Sequence, residues 1–216
     1  MNIPTTYIDK FGSIETEILN DGKKLILEIE GIKFTSIHFD DFEIEDISTN
    51  HKRFSLNTNN ELNDCRLICK VPLTLIRNDK EIQTSLILDI TLDHPNLGWD
   101  YKTKCSLSLI IANKLITTRA ESIIADFELG LIQIIEQLTE GYQLKCCFGC
   151  AFADYSVYGQ SLFGTMLCFK NIKEKYLMVK DKTEYIDIMD SRDREVQETY
   201  LCEEFQTRKK GTGYRG

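Results

Sequence analysis

Long apolar runs are missing from this chain. None approaches the ~18 to 20 residues that a membrane-spanning helix needs, so no such helix is expected. The opening residues, MNIPTTYIDKFG, lack a basic segment followed by an apolar one. No signal peptide is expected there, and the expected address is cytoplasmic. Positive charge is in short supply: 26 Lys and Arg stand against 34 Asp and Glu, a net charge of -8. That balance argues against nucleic acid and membrane as partners and leaves room for a basic protein. Histidine is scarce. His38, His51 and His94 are the three in the chain. None has a ligand partner at helical spacing, and each reads as an ordinary strand or loop residue.

Catalytic signatures are lacking as well. Gly159-Gln160-Ser161-Leu162-Phe163-Gly164 misses the G-x-S-x-G pattern by one residue and has no strand-turn-helix frame to expose the serine. Gly211-Thr212-Gly213-Tyr214-Arg215-Gly216 matches G-x-G-x-x-G in letters, but no helix start follows to hold a phosphate. No catalytic residue is assigned. A Cys–His pair formed in space stays open, because such pairs need not be close in sequence.

What is present is enough for a real core. A chain of 216 residues makes one large domain, or one domain with a smaller appendage. From about Ile14 to Phe54, short runs alternate apolar and polar residues, the period of half-buried strands. Asn20-Asp21-Gly22 separates two of them and predicts a hairpin, since glycine accepts positive φ. In Asp40-Asp41-Phe42-Glu43-Ile44-Glu45-Asp46, Phe42 and Ile44 share one face, with Glu43 and Glu45 on the other. A solvated strand face explains this charge; a patch for a basic partner is the functional alternative. Cys65, Leu67, Cys69 and Val71 also share a face. Reduced cysteines on such a face are core filler more often than metal ligands, and Cys105 reads the same way. Leu73 to Arg77, Ile82 to Leu92 and Tyr101 to Ala112 are further expected strands, with Asn78-Asp79-Lys80 turning the first two.

Thr118-Arg119-Ala120-Glu121 fits a capping box. Ala120, Ile123, Ile124, Phe127, Leu131, Ile134, Ile135 and Leu138 then recur at helical spacing. They predict one helix of about six turns with a core-facing stripe, ended by Gly141. Tyr176 to Lys180 and Tyr185 to Met189 read as short β-like runs. Ser191 to Glu198 reads as a charged loop, and Tyr200 to Phe205 as a last strand or turn.

Eight cysteines are present. In a reducing compartment they point to metal or packing rather than disulfides. Cys147-Phe148-Gly149-Cys150 is a Cys-x-x-Cys turn that can aim two thiolates at one ion. Zinc takes four such ligands. Cys168 and Cys202 are the candidates to complete the set, with Cys146 as a substitute ligand. Reduced buried thiols, a redox pair and an iron–sulfur cluster are the other readings. The glycines at 141, 149, 159 and 164 raise the entropy of the unfolded chain, and a four-ligand site would offset that. Asp154 and Tyr155 stand beside the cysteines, where they would hydrogen-bond a ligated thiolate or frame a small pocket.

Cys146-Cys147-x-x-Cys150, Asp154-Tyr155-Ser156, Gly159, Phe163-Gly164-x-Met166-x-Cys168, Glu198-Thr199-Tyr200-Leu201-Cys202-Glu203-Glu204 and the closing GTGYRG together carry a resemblance. From Leu144 onward the chain resembles an uncharacterised bacterial family known only as a domain of unknown function. The resemblance implies that the cysteines and the terminal GTGYRG belong to one constellation, with the tail ordered against the cysteine site. It supplies no catalytic residues. Val157-Tyr158 departs from the proline-containing turn expected there.

The expected fold is α+β. Residues 1–141 form an antiparallel β-sheet or sandwich with one long helix packed on it. Residues 142–216 form a Cys-rich, metal-stabilised lobe. The expected function is a non-catalytic bacterial binding protein with a structural zinc and a protein partner. An immunity or accessory role in a bacterial conflict system is one setting for it. The alternative is an enzyme whose metal or cysteine in the C-terminal lobe is catalytic. Nucleic-acid binding through the basic tail is a third reading.

Overall fold

The computed structural model describes residues 1–48, 51–93, 103–111, 114–118, 127–138, 141–159 and 163–214. The chain opens with β1 (Asn2–Asp9), β2 (Gly12–Asn20), β3 (Leu25–Ile29), β4 (Ile32–Ser36) and β5 (Glu43–Ile44). A small hairpin of β6 (Ser55–Leu56) and β7 (Leu62–Asn63) follows. Then come the two longest strands, β8 (Cys65–Arg77) and β9 (Lys80–Leu92), and after them β10 (Lys104–Ile111) and β11 (Lys114–Thr117). Helix α1 (Phe127–Gln137) leads to β12 (Tyr142–Leu144). The remainder holds β13 (Ala153–Asp154), β14 (Thr165–Cys168), α2 (Lys173–Leu177), α3 (Lys182–Met189) and β15 (Arg194–Gln197).

One ten-stranded antiparallel sheet carries the first part, in the order β11-β10-β9-β8-β1-β2-β3-β4-β5, with β12 also on β8. The alternation read from the sequence is its two faces. Cys65, Leu67, Cys69, Val71, Leu73 and Leu75 of β8 are buried, while Arg66, Lys70 and Pro72 between them are exposed. Phe42 and Ile44 go inward and Glu43 and Glu45 outward, as the period of two requires. Cys65, Cys69 and Cys105 are core residues. Each buried Leu, Ile or Phe contributes about 1.5–3 kcal/mol relative to exposure. The turns are the predicted ones. Gly22 takes φ +87° between β2 and β3, and Asn78 and Asp79 take φ 48° and 60° between β8 and β9.

Strand β1 begins well before the expected start of the β region at Ile14, and it becomes a central strand. The expected strands 65–71 and 73–77 are one strand that passes through Pro72. One edge of β8 pairs with β9 along its length, Pro72 facing Ser85. The other edge is shared: Arg66 to Cys69 pair with β1, and Leu75 to Arg77 with β12. Thr74 turns its carbonyl to that second edge, where Lys145 N–H donates to it at 2.8 Å. Pro72 has the same parity. Its missing N–H therefore falls in the gap between β1 and β12, where no ladder bond is lost.

Among the described residues the expected single long helix is not shown; they hold three short α-helices. Helix α1 has 11 residues, and Phe127, Leu131 and Ile134 bury against the sheet with Leu138 just beyond. Thr118 is bonded to the sheet. Its N–H donates to Leu107 O at 2.9 Å, and its Oγ1 accepts from Leu107 N at 3.1 Å. The rest of the capping box, and Ala120, Ile123 and Ile124, lie outside the described residues, as do His94 and Trp99. The two β-like runs are corrected too: Tyr176 lies in α2, and Tyr185 to Met189 lie in α3. Asp181 caps α3 by accepting from Thr183 N and Glu184 N, which settles that segment as helix. Part of the expected charged loop, Arg194–Gln197, is strand β15.

Two buried clusters result. The main one runs through the large sheet and α1 and includes Cys146 and Phe163; the second begins at Cys147 and gathers β13, β14, β15, α2 and α3. Asn20 Nδ2 donates to Gln197 Oε1 at 2.8 Å between them, with both side chains buried.

Candidate metal centre

The Cys-x-x-Cys segment forms one turn of 3-10 helix, Cys147–Gly149, flanked by extended Cys146 and Cys150. Glycine is required at 149. A Cβ there would run into the Leu144 carbonyl oxygen, because the end of β12 folds directly over the turn. The turn is held from outside by the C-terminal chain. Cys147 N donates to Tyr200 O at 2.8 Å and Phe148 N to Glu198 O at 2.9 Å. Ala151 N donates to Gln206 O at 2.7 Å, Arg208 N donates to Gly149 O at 3.0 Å, and Cys150 stands opposite Thr207. Cys202 sits on the loop between these two attachments. Cys168 closes β14 and pairs with Ala153, three residues after Cys150.

Cys147 lies within electrostatic reach of the other candidates. Burial pushes its thiol well above the usual value, and Cys146, Cys150, Cys202 and Cys168 all push the same way. Burial raises Cys168 too, helped by Cys202 and Cys150 and opposed by the Lys170 amide and Arg194. Arg194 also faces Cys147, and Lys173, paired first with Glu204, faces Cys150 and Cys202. Two cations thus flank the thiols. Cys146 differs: it is buried in the main core, where burial lifts its thiol to about 12. All eight cysteines are free thiols, and Cys202 alone is half-buried rather than buried.

The donor set suits zinc, which favours thiolates in a closed tetrahedron. Its sulfurs are gathered but not drawn onto one point. About 3.8 Å would separate sulfurs on a shared zinc. Among the described residues, the one group of three ligand atoms all within 4.8 Å of each other is His38, Asp40 and Asp41. His38 reads in the sequence as an ordinary strand or loop residue, and Asp40 and Asp41 as part of a solvated strand face or basic-partner patch; the signal that joins them is the spacing His-x-Asp-Asp behind a strand.

Asp154 and Tyr155 bond to groups other than the thiols. Asp154 Oδ2 accepts from Tyr176 Oη at 2.8 Å, and Tyr155 Oη donates to Glu198 Oε1 at 3.3 Å. Arg208 Nη1 donates to Tyr176 Oη at 3.2 Å, and its Nη2 to Ala153 O. The tail therefore packs inward over the second cluster, with Tyr214 against Tyr185. Tyr155, Phe163 and Phe169 are buried and offer no base-stacking platform; Tyr158 is exposed.

The chain belongs to DUF6304, a family of unknown function, whose pattern matches residues 1–153. The match thus lies over the large sheet and the Cys-x-x-Cys turn, and shares with the stretch expected to carry the resemblance only residues 144–153. No curated protein and no solved structure matches the chain.

Proposed function

We propose that this is a non-catalytic binding protein whose C-terminal lobe is closed by a structural zinc on Cys147, Cys150, Cys168 and Cys202. The observation behind it is proximity: three separate segments bring Cys150, Cys168 and Cys202 within electrostatic reach of Cys147. The loop of Cys202 is tied to the turn of Cys147 and Cys150 at both of its ends. A zinc tetrathiolate carries a net charge of about -2, and Lys173 and Arg194 stand where they would balance it. When bound, the ion would cross-link the turn, β14 and the loop. Cys146, committed to the main core, is left out of the set.

A protein partner fits the β11 edge of the large sheet. Among the described residues β11 pairs only with β10, and the cross-strand pair Ile110 and Leu115 is more than half exposed, at 52% and 60%. An open edge with apolar side chains invites an added strand.

Elemental analysis of protein purified without added metal tests the reading, together with Cys202→Ser. About one zinc per chain, lost with stability in the variant, supports a closed four-ligand site. Zinc kept by the variant on three thiols plus water favours the alternative, a catalytic metal. Absence of metal from fresh, reduced protein overturns the zinc.

A further inference from the structure

We infer that His38, Asp40 and Asp41 form a binding site for a divalent first-row transition metal ion, separate from the cysteines. Their ligand atoms lie within 4.8 Å of one another on the loop that follows β4. His38 Nδ1 stands 3.2 Å from Asp41 Oδ2. Two ligand atoms each about 2.1 Å from one ion, at about 90 to 110°, lie about 3.0 to 3.4 Å apart. An ion can therefore take the place of the proton between them with little movement of either side chain.

The loop is built rather than loose. Phe39 and Phe42 are buried on either side of the two aspartates, Phe39 with its ring 5.7 Å from that of Phe163. Gln197 Nε2 donates to Ile37 O at 2.8 Å, and Gln197 is itself held by Asn20. Ser36 Oγ accepts from His38 N at 2.7 Å and donates to Asp41. These contacts fix ligand positions before any ion arrives, which is what lowers the cost of binding one.

A second feature, from the other lobe, points to a cation. Glu198 is only 2% exposed, and its charge acts on His38. Tyr155 Oη approaches it, and no ion pair among the described residues reaches it. Burial lifts its carboxyl to about 8, against the opposing pull of backbone amides, the Tyr155 hydroxyl and His38. Asp40, Asp41 and Glu198 all act electrostatically on the His38 imidazole, and the first two stand within ligand distance of it. One nitrogen with several carboxylate oxygens suits manganese or iron better than the thiolate set does, and the nitrogen disfavours calcium and magnesium.

The test is a titration of the metal-free, full-length chain with Mn²⁺, followed by the electron paramagnetic resonance of the free ion. Mn²⁺ favours oxygen and nitrogen over thiolate, so it reports on this loop. Wild type and Cys202→Ser should bind one equivalent alike. His38→Ala and Asp40→Asn should each weaken binding by about tenfold or more. Asp40 is half-buried at the loop surface, so Asp40→Asn keeps the test alive if His38→Ala does not fold. Unchanged affinity in Asp40→Asn and in folded His38→Ala overturns the site. So does a wild-type chain that leaves millimolar Mn²⁺ free, or a loss of binding in Cys202→Ser instead.

Discussion

Tyr214 lies flat on Tyr185, with ring centroids 4.8 Å apart and planes 13° from parallel. Gly213, just before it, rests on Tyr176, where a Cβ would come within 2.6 Å of the hydroxyl. The tail is thus a fitted cover on the second cluster. Tyr214→Ala should destabilise the protein by about 1 kcal/mol, the scale of one aromatic pair, measured by urea unfolding. An unchanged midpoint would detach the tail from this role.

Gly149 is the tightest point of the cysteine turn. Gly149→Ala forces a methyl onto the Leu144 carbonyl, and backbone cannot yield as a flexible side chain does. A loss of about 1–3 kcal/mol is expected, with weakened zinc retention on dialysis. A variant that unfolds and holds zinc like the wild type would refute this account of the turn.

The cysteines should divide into two groups. Cys105→Ala removes a core thiol from β10 and should cost about 1 kcal/mol with metal content unchanged. Cys168→Ala should lose metal and stability together. Chelation should lower the melting temperature of wild type and leave Cys168→Ala where it is, since only a bound ion stabilises by mass action.

Glu198 predicts a pH dependence in chelated protein. Its carboxyl moves from 4.5 to about 8, chiefly because burial penalises its charge. The unfolded chain gives up this proton near pH 4.5, while the folded chain keeps it to about pH 8. In that window the folded state binds more protons, so stability is full below the lower value and falls as pH rises through the upper one. Glu198→Gln should flatten the slope, overtaking wild type toward pH 8 by an amount on the order of a few kcal/mol. Parallel curves for the two proteins would place the titration elsewhere.

Much of the large sheet is legible in the sequence because one face is wet and the other dry. Cys65, Leu67, Cys69 and Val71 alternate cleanly, and Asn20-Asp21-Gly22 and Asn78-Asp79 are turns that chemistry dictates. Strand β1 hid because Pro4, Thr5 and Thr6 dilute its pattern, although Ile3 and Tyr7 are fully buried. The run from Phe127 to Leu138 is a core stripe as read. Its expected extension upstream lies outside the described residues, except for Thr118, whose hydroxyl is engaged by β10. Around the second cluster, short helices defeat periodicity. Tyr185 and Ile188 are the only buried residues of α3, too few to show a period. Its cap, Asp181 with Glu184 three residues on, was the available signal. The convergence of Cys202 on the turn depends on backbone pairing across more than fifty residues, which spacing alone does not encode. His38 was passed over because its partners sit on a loop, where no helical spacing exists to find.

Cys146 and Cys147 are neighbours in sequence, yet each is buried in a different cluster. A hinge needs residues whose dihedrals can turn without dragging packed groups along. At this junction there is no such residue. Any rotation would pull one sulfur out of the sheet's core or the other out of the thiol group. Strain applied to either cluster is thereby felt by the other through one peptide bond, and the chain should melt in a single calorimetric transition rather than in two.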